Sequence, residues 1–160
     1  MRKTVQACLL ILGLMAAVLL MMDSFSVVKT GTGNGATIQW DDNFERFCCE
    51  LAKGCSSDAE RVTVFRNWII QNISYDEESE VLFYQTFHVG KVMQSKKGVC
   101  FDYACLFAAM CRSQGIPCYV LDGTYQGEPA FRHAWNRVFF DGQWWSLDTT
   151  RDHTARKEGG

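Results

Sequence analysis

The 160-residue chain contains no Cys-x-x-Cys pair and no histidine spacing that would complete a metal site, although it holds eight cysteines and three histidines. Those absences argue against a structural zinc centre and weaken a redox role for the thiols. An excess of one charge is also missing. The formal net charge is −2 and no basic stripe with interleaved aromatics occurs, so the chain carries no footprint for nucleic acid. No period marks internal repeats. What is present, 48% hydrophobic and 13% aromatic residues, suffices for one sizeable core once the N-terminus is set aside.

The N-terminus reads as an export segment. Arg2 and Lys3 precede an uninterrupted apolar run from Ala7 to Met22, which has no polar face and so is no ordinary buried helix. Its length lies between that of a signal core and that of a membrane span. Residues 1–26 are therefore expected to be a signal peptide, cleaved after Ser26 in the small-residue run Ser24-Phe25-Ser26, or a retained membrane anchor. Neither Cys8 nor Cys55 lies in a lipoprotein cleavage context. A glycine-rich tether follows, and residues 27–39 read as linker, with the folded domain occupying 40–160.

Within the domain, Ser57 followed by Asp58-Ala59-Glu60 has the form of a capping box opening a helix through Gln71. Val62, Phe65, Trp68 or Ile69, and Ile73 mark its inner face. Residues Glu77 to Gln94 are ambiguous between helix and loop and are expected to line one side of a cleft. A second helix runs from Cys100 to Arg112, apolar on almost every face and stopped by Gly115 and Pro117. Cys100 then lies in the first turn, where unpaired backbone N–H groups and the positive end of the dipole favour an anion. Lys96, Lys97 and Arg112 are candidates to add to that positive field.

Further on, Ala134 to Phe140 and Gln143 to Leu147 are aromatic and β-branched runs joined by Asp141-Gly142, the dipeptide of a type I′ hairpin turn. That turn sets Phe140 opposite Gln143, Trp135 opposite Asp148 and His133 opposite Thr150. Alternation then turns His133, Trp135, Asp148 and Thr150 to one face and Asn136 to the other. His133 and Asp148 become diagonal neighbours roughly 7–8 Å apart at Cα, within reach of an imidazole–carboxylate bond. If the Cys100 helix packs on that face, a thiol, an imidazole and a carboxylate meet. Such a set keeps a thiol ionised and shuttles its proton.

The motifs Gly98-Val99-Cys100-x-Asp102-Tyr103-Ala104, Gly115-Ile116-Pro117, His133-Ala134-Trp135-Asn136 and Trp144-x-x-Leu147-Asp148-x-Thr150 resemble the core of the transglutaminase-like superfamily. Asn72-Ile73-Ser74-Tyr75-Asp76 is similar to the segment such domains carry upstream of the cysteine helix. The resemblance implies an α+β fold of papain-like, transglutaminase-core type, a cysteine-bearing helix packed on an antiparallel β-sheet. It implies Cys100 as nucleophile, His133 as general base and acid, and Asp148 as the group orienting the imidazole. No cofactor and no metal is implied, and the substrate is a protein or peptide. The expected chemistry is acyl transfer at an amide by an exported cysteine peptidase or amidase. A transglutaminase forming isopeptide bonds and a catalytically silent binding module are the alternatives. The Cys100 backbone N–H is the first oxyanion donor, with the second unassigned. Family domains usually continue with further strand after the aspartate, whereas this chain ends at Gly160, so a smaller sheet or a truncated product is expected.

Other conspicuous residues have plainer readings. For an exported chain, Cys48, Cys49, Cys55, Cys105, Cys111 and Cys118 are disulfide candidates, although Cys105 and Cys111 read better as small apolar fillers of their helix. His88 and His153 read as surface or loop histidines, and Asp102 as a local hydrogen-bonding group. Trp135 shares the face of His133 and is placed to shield it from water.

Overall fold

A helix with no polar face must be covered on all sides. In the computed structural model, which describes residues 26–28, 37–79, 87–125 and 128–152, the helix Cys100–Ser113 meets that demand by sitting at the centre. All of its residues except Asp102 and Ser113 are buried. The helices in chain order are α1 (Asp42–Leu51), α2 (Asp58–Asn72), α3 (Val89–Ser95) and α4 (Cys100–Ser113). The strands are β1 (Ser26–Val28), β2 (Ile38–Gln39), β3 (Ser74–Tyr75), β4 (Phe87–His88), β5 (Lys97–Gly98), β6 (Cys118–Tyr125), β7 (Glu128–Phe140) and β8 (Gln143–Leu147). An antiparallel sheet ordered β1-β6-β7-β8 covers one side of α4. Helices α1, α2 and α3 pack on α4 as well. The architecture is the expected α+β one, a cysteine-bearing helix on an antiparallel sheet.

The hairpin has the expected register, with Phe140 opposite Gln143 and Asn136 opposite Leu147. Asp141 and Gly142 both take positive φ, 50° and 76°, as a type I′ turn requires. Cross-strand aromatic pairs hold its tip. Trp144 stacks on Tyr119 at 4.8 Å between centroids, and Trp145 on Phe140 at 5.5 Å.

Helix α2 starts at Asp58, and Ser57 Oγ accepts from Glu60 N–H at 3.2 Å. The return arm of the capping box differs from expectation: the Glu60 carboxylate takes the N–H of Ser56 at 2.7 Å, one residue earlier. Val62, Phe65 and Ile69 are buried as the periodicity requires, and Ile73 closes that face. Helix α1 has no counterpart among the elements expected from sequence. Its cap is nonetheless conventional, the Asp41 carboxylate accepting from Phe44 N–H at 2.9 Å.

The apolar run Ala7–Met22 lies outside the described residues, as do His153 and residues 80–86. No helix among the described residues is long and apolar enough to cross a membrane. Ser26–Val28, at the junction of the expected export segment and linker, pairs with Asp122–Val120 of β6. Ile38–Gln39 pairs with Phe87–His88.

All seven described cysteines are free thiols. Cys48, Cys105, Cys111 and Cys118 are core residues, so Cys105 and Cys111 are the small apolar fillers that the helix pattern suggested. Burial pushes the Cys48 thiol up to about 12, against a smaller opposing effect of a Ser113 hydrogen bond. Burial likewise raises Cys111. Neither is an effective nucleophile at neutral pH.

Candidate active site

Cys100 is the first residue of α4 and 1% exposed. The turn that presents it is fixed by Asp102, whose carboxylate accepts the Val99 N–H at 2.9 Å, the local role read from sequence. That bond leaves little room at Gly98, where an added Cβ would come within 2.7 Å of Asp102 Cβ, too close for two carbons. Gly98→Ala must therefore push Asp102 off the Val99 N–H. The expected result is a loss of about 1–2 kcal/mol in urea unfolding, the size of a lost cap plus local strain.

Of the cations expected to support a thiolate, Arg112 sits at the far end of the same helix, about 18 Å away at 1.5 Å per residue. There it is buried and donates through Nε to the Cys118 carbonyl at 2.8 Å. It cannot act on Cys100 as a neighbour. Lys96 lies over the Trp68 ring, 4.9 Å from its centroid. Lys97 is exposed on β5 and acts on Asp76, and the helix start and the imidazole are the positive elements next to Cys100.

His133 lies on β7 and Asp148 just beyond β8, brought together by the hairpin register. The His133 Nε2 to Asp148 Oδ2 distance is 2.7 Å. Asp148 is held from behind. Its Oδ1 accepts the backbone N–H groups of Thr150 at 3.1 Å and Arg151 at 3.2 Å, capping a helical turn at 149–152. Asp152 in that turn is paired with Arg66 Nε of α2 at 2.6 Å, which pins the turn to the helical layer. The carboxylate is thus oriented at one oxygen by backbone and offers the other to the ring.

Cys100 is the other group that acts on the His133 ring, raising it together with Asp148. Burial draws the imidazole down, but the hydrogen bonds and charges of Asp148 and Cys100 outweigh it and push His133 up to about 9. Trp135 lies against the ring, with centroids 6.2 Å apart and planes 16° from parallel. The structure therefore joins Cys100, His133 and Asp148 in one line of contacts.

The route to that meeting differs from the sequence expectation in one respect. The body of α4 packs on the face of β7 carrying Ala134, Asn136 and Val138, which are buried, rather than on the His133 face. Asn136, fully buried, makes that contact specific: its Nδ2 donates to the Ala104 carbonyl at 2.9 Å and to the Tyr119 carbonyl at 3.2 Å. It ties α4, β6 and β7 together without touching the imidazole. Asn136→Ala is expected to cost about 1–3 kcal/mol, measured as a lowered urea midpoint, because the amide bonds are lost in the core. Asn136→Asp should cost at least as much, since a carboxylate cannot donate to either carbonyl.

Tyr75 is the site residue that sequence reasoning left without a role. It pairs with Gly98 across β3 and β5, and its ring packs on Tyr103 with centroids 6.2 Å apart. A cavity of about 590 Å³ between Trp40, Phe44, Phe47, His88, Val89 and Met93 contains none of the three catalytic candidates. The segment expected to line a cleft thus contributes to a separate hollow. His88 is exposed at the start of α3, and no metal-holding cluster of His, Cys, Asp or Glu occurs among the described residues.

Known proteins share this pattern. Kyphoscoliosis peptidase of Mus musculus is 34% identical over 113 residues, covering 63% of this chain and 17% of its own length. The Homo sapiens protein of that name is 32% identical over the same span. The chain thus matches only a small part of those relatives. Among solved structures, a candidate cysteine protease from Cytophaga hutchinsonii superposes with a TM-score of 0.63 at 24% identity, over 75% of this chain and 40% of that one. The periplasmic domain of TgpA from Pseudomonas aeruginosa gives 0.59 at 19% identity, over 82% and 47%. These likenesses carry the fold. The family model of the transglutaminase-like superfamily matches residues 45–149, a span containing Cys100, His133 and Asp148. With that match over most of the domain, the chain belongs to the transglutaminase-like superfamily.

Proposed function

We propose that this domain is a thiol acyl-transfer enzyme acting on amide or peptide bonds of a protein substrate, with Cys100 as nucleophile, His133 as base and acid, and Asp148 as the orienting carboxylate. The observation that carries the reading is the contact chain from Asp148 through His133 to Cys100 at a helix N-terminus. A thiol in that setting gives its proton to the imidazole, and the resulting ion pair is stabilised by the helix start and by Asp148. The thiolate adds to the amide carbonyl carbon and the imidazolium protonates the departing amine. This leaves a thioester on Cys100. Water, deprotonated by the now neutral His133, then releases the acid and regenerates the thiol. A lysine amine in place of water would form an isopeptide bond. Hydrolysis is the favoured outcome, because a small exposed domain shows no obvious device for excluding water among its described residues.

The export reading of residues 1–26 accompanies this function and places the enzyme outside the cytoplasm, secreted or anchored. It draws support from the apolar N-terminal run and from a structural neighbour that is a periplasmic domain. The chemistry is tested by incubating the protein with a peptide chloroacetamide and mapping the covalent mass shift. A single adduct on the Cys100 peptide is expected. Labelling spread equally over Cys49, Cys55 and Cys100 would instead favour a silent binding module.

A further inference from the structure

We propose that Arg66 is a positioning residue of this site: its ion pair with Asp152 holds the turn that aims the Asp148 carboxylate at His133. The inference rests on the acyl-transfer reading and deepens it.

The need for such a residue follows from where β8 stops. The last ladder pair of the hairpin joins Asn136 to Leu147, so Asp148 lies one residue past the sheet. Its carboxylate is oriented by what comes next, the helical turn at 149–152. There Oδ1 accepts the N–H groups of Thr150 and Arg151, and the Asp148 carbonyl accepts the N–H of Asp152 at 3.2 Å. A single helical turn is unfavourable on its own, because it fixes many dihedral angles for few hydrogen bonds. It therefore needs anchors from outside. Thr149 and Thr150 supply one by being buried, and Asp152 supplies another, accepting from Arg66 Nε at 2.6 Å.

Arg66 has a firm footing of its own. It lies on α2 between Val62 and Ile69, next to Phe65, and those three side chains are buried in the core. Its Nη1 also donates to Asn67 Oδ1 at 3.1 Å, which steadies the guanidinium plane. Helix α2 packs in turn on α4, the helix that begins at Cys100. The nucleophile thus belongs to the helical side of the domain and the His133–Asp148 pair to the sheet side. Arg66 and Asp152, 86 residues apart in sequence, tie the two sides together next to the carboxylate. Both side chains are about a third exposed, 34% and 33%, so the pair adds little to global stability. Its effect is geometric. Without it the turn slackens, Oδ1 loses its fixed backbone donors, and Oδ2 is no longer held to Nε2 at 2.7 Å.

The test titrates the His133 ring by NMR in the full chain, where Asp148 and Cys100 are the groups that raise it to about 9. Arg66→Met keeps the aliphatic stem and removes the guanidinium, and Asp152→Ala removes its partner. Acting through Asp148, both substitutions should lower the His133 titration point by about 0.5–1 pH unit, part of what a carboxylate partner supplies. A bare field effect has a different signature: losing the Arg66 cation would raise His133, and losing the Asp152 anion would lower it. The double variant should fall no further than either single one, and Arg66→Lys, which keeps a cation facing Asp152, should recover part of the shift. Acylation of Cys100 by p-nitrophenyl acetate should slow about tenfold in each single variant. The unfolding equilibrium constant, read from urea melts, should change by less than about fivefold. Shifts of opposite sign, shifts that add in the double variant, or a His133 titration left unmoved would overturn the assignment. Acylation that persists in Cys100→Ala would overturn the acyl-transfer reading instead, and the titration, which needs no activity, keeps the two failures apart.

Discussion

Cys100→Ala is expected to reduce amidase or transamidase activity by about 10⁴-fold or more while leaving the domain folded. The loss is large because the covalent route disappears: among the described residues no other thiol acts on the imidazole. Cys48, Cys105, Cys111 and Cys118 are core residues, and burial raises the Cys48 and Cys111 thiols. Cys49 and Cys55 precede α2, remote in sequence from the imidazole. The structural cost is small by comparison. Cys100 makes no side-chain cap, since the α4 start is held by Asp102 on the Val99 N–H. Removing one sulfur from a 1% exposed position should cost no more than about 1–2 kcal/mol. Activity on a peptide amide and the urea midpoint, measured on one preparation, separate the two effects. Activity surviving the substitution would move the nucleophile elsewhere.

The hairpin and the cysteine helix were legible because each is specified locally. Asp141-Gly142 fixes the turn, the turn fixes the register, and the register puts His133 and Asp148 within 2.7 Å. A fully apolar stretch bounded by Gly115 and Pro117 leaves only a buried helix as its solution. What local reasoning missed was set by distant partners. β3 with β5 and β2 with β4 are two-residue parallel pairs between segments far apart in sequence, too short to show any alternation. Tyr75 owes its place to one of them, so its segment was legible only by resemblance and not from periodicity.

Two misreadings have simpler causes. Arg112 was assigned to the field around Cys100 although a 14-residue helix separates its ends by more than such a field extends. Helix α1 did announce itself, through Asp41 before Phe44, Phe47, Cys48 and Leu51 at helical spacing, but the nearby cysteines suggested a disulfide staple instead. Asn136 shows a subtler limit. Alternation turned it away from His133 correctly, and the helix packed on the side where Asn136 points, so that the amide became the tie between α4 and the sheet.

The last expectation concerns pH. His133 is raised to about 9 in the fold, against an ordinary value of 6.5, so the folded state favours its protonated form. Its contribution to stability is fully present below about pH 6.5 and is lost as pH rises through about 9. Replacing it should therefore cost more at pH 6 than at pH 9.5, by about 2–3 kcal/mol at most, read from urea midpoints of wild type and His133→Ala. The same pairing governs reactivity. An ordinary exposed thiol is only about 0.3% thiolate at pH 6, whereas Cys100 has an imidazole beside it placed to take its proton. The paired thiolate is intrinsically less nucleophilic, which returns part of that advantage. Cys100 should still react with iodoacetamide at pH 6 about tenfold or more faster than Cys49 or Cys55, and His133→Ala should erase the difference. Asp148→Asn should lower kcat/KM by about 10²-fold or more, because an amide cannot stabilise the imidazolium. In the wild type kcat/KM should decline above about pH 9, where His133 loses the proton that the leaving amine requires. A rate that instead climbs steadily through pH 9, with Cys100 no faster than its neighbours at pH 6, would mean that the imidazole neither holds the thiolate nor supplies the proton.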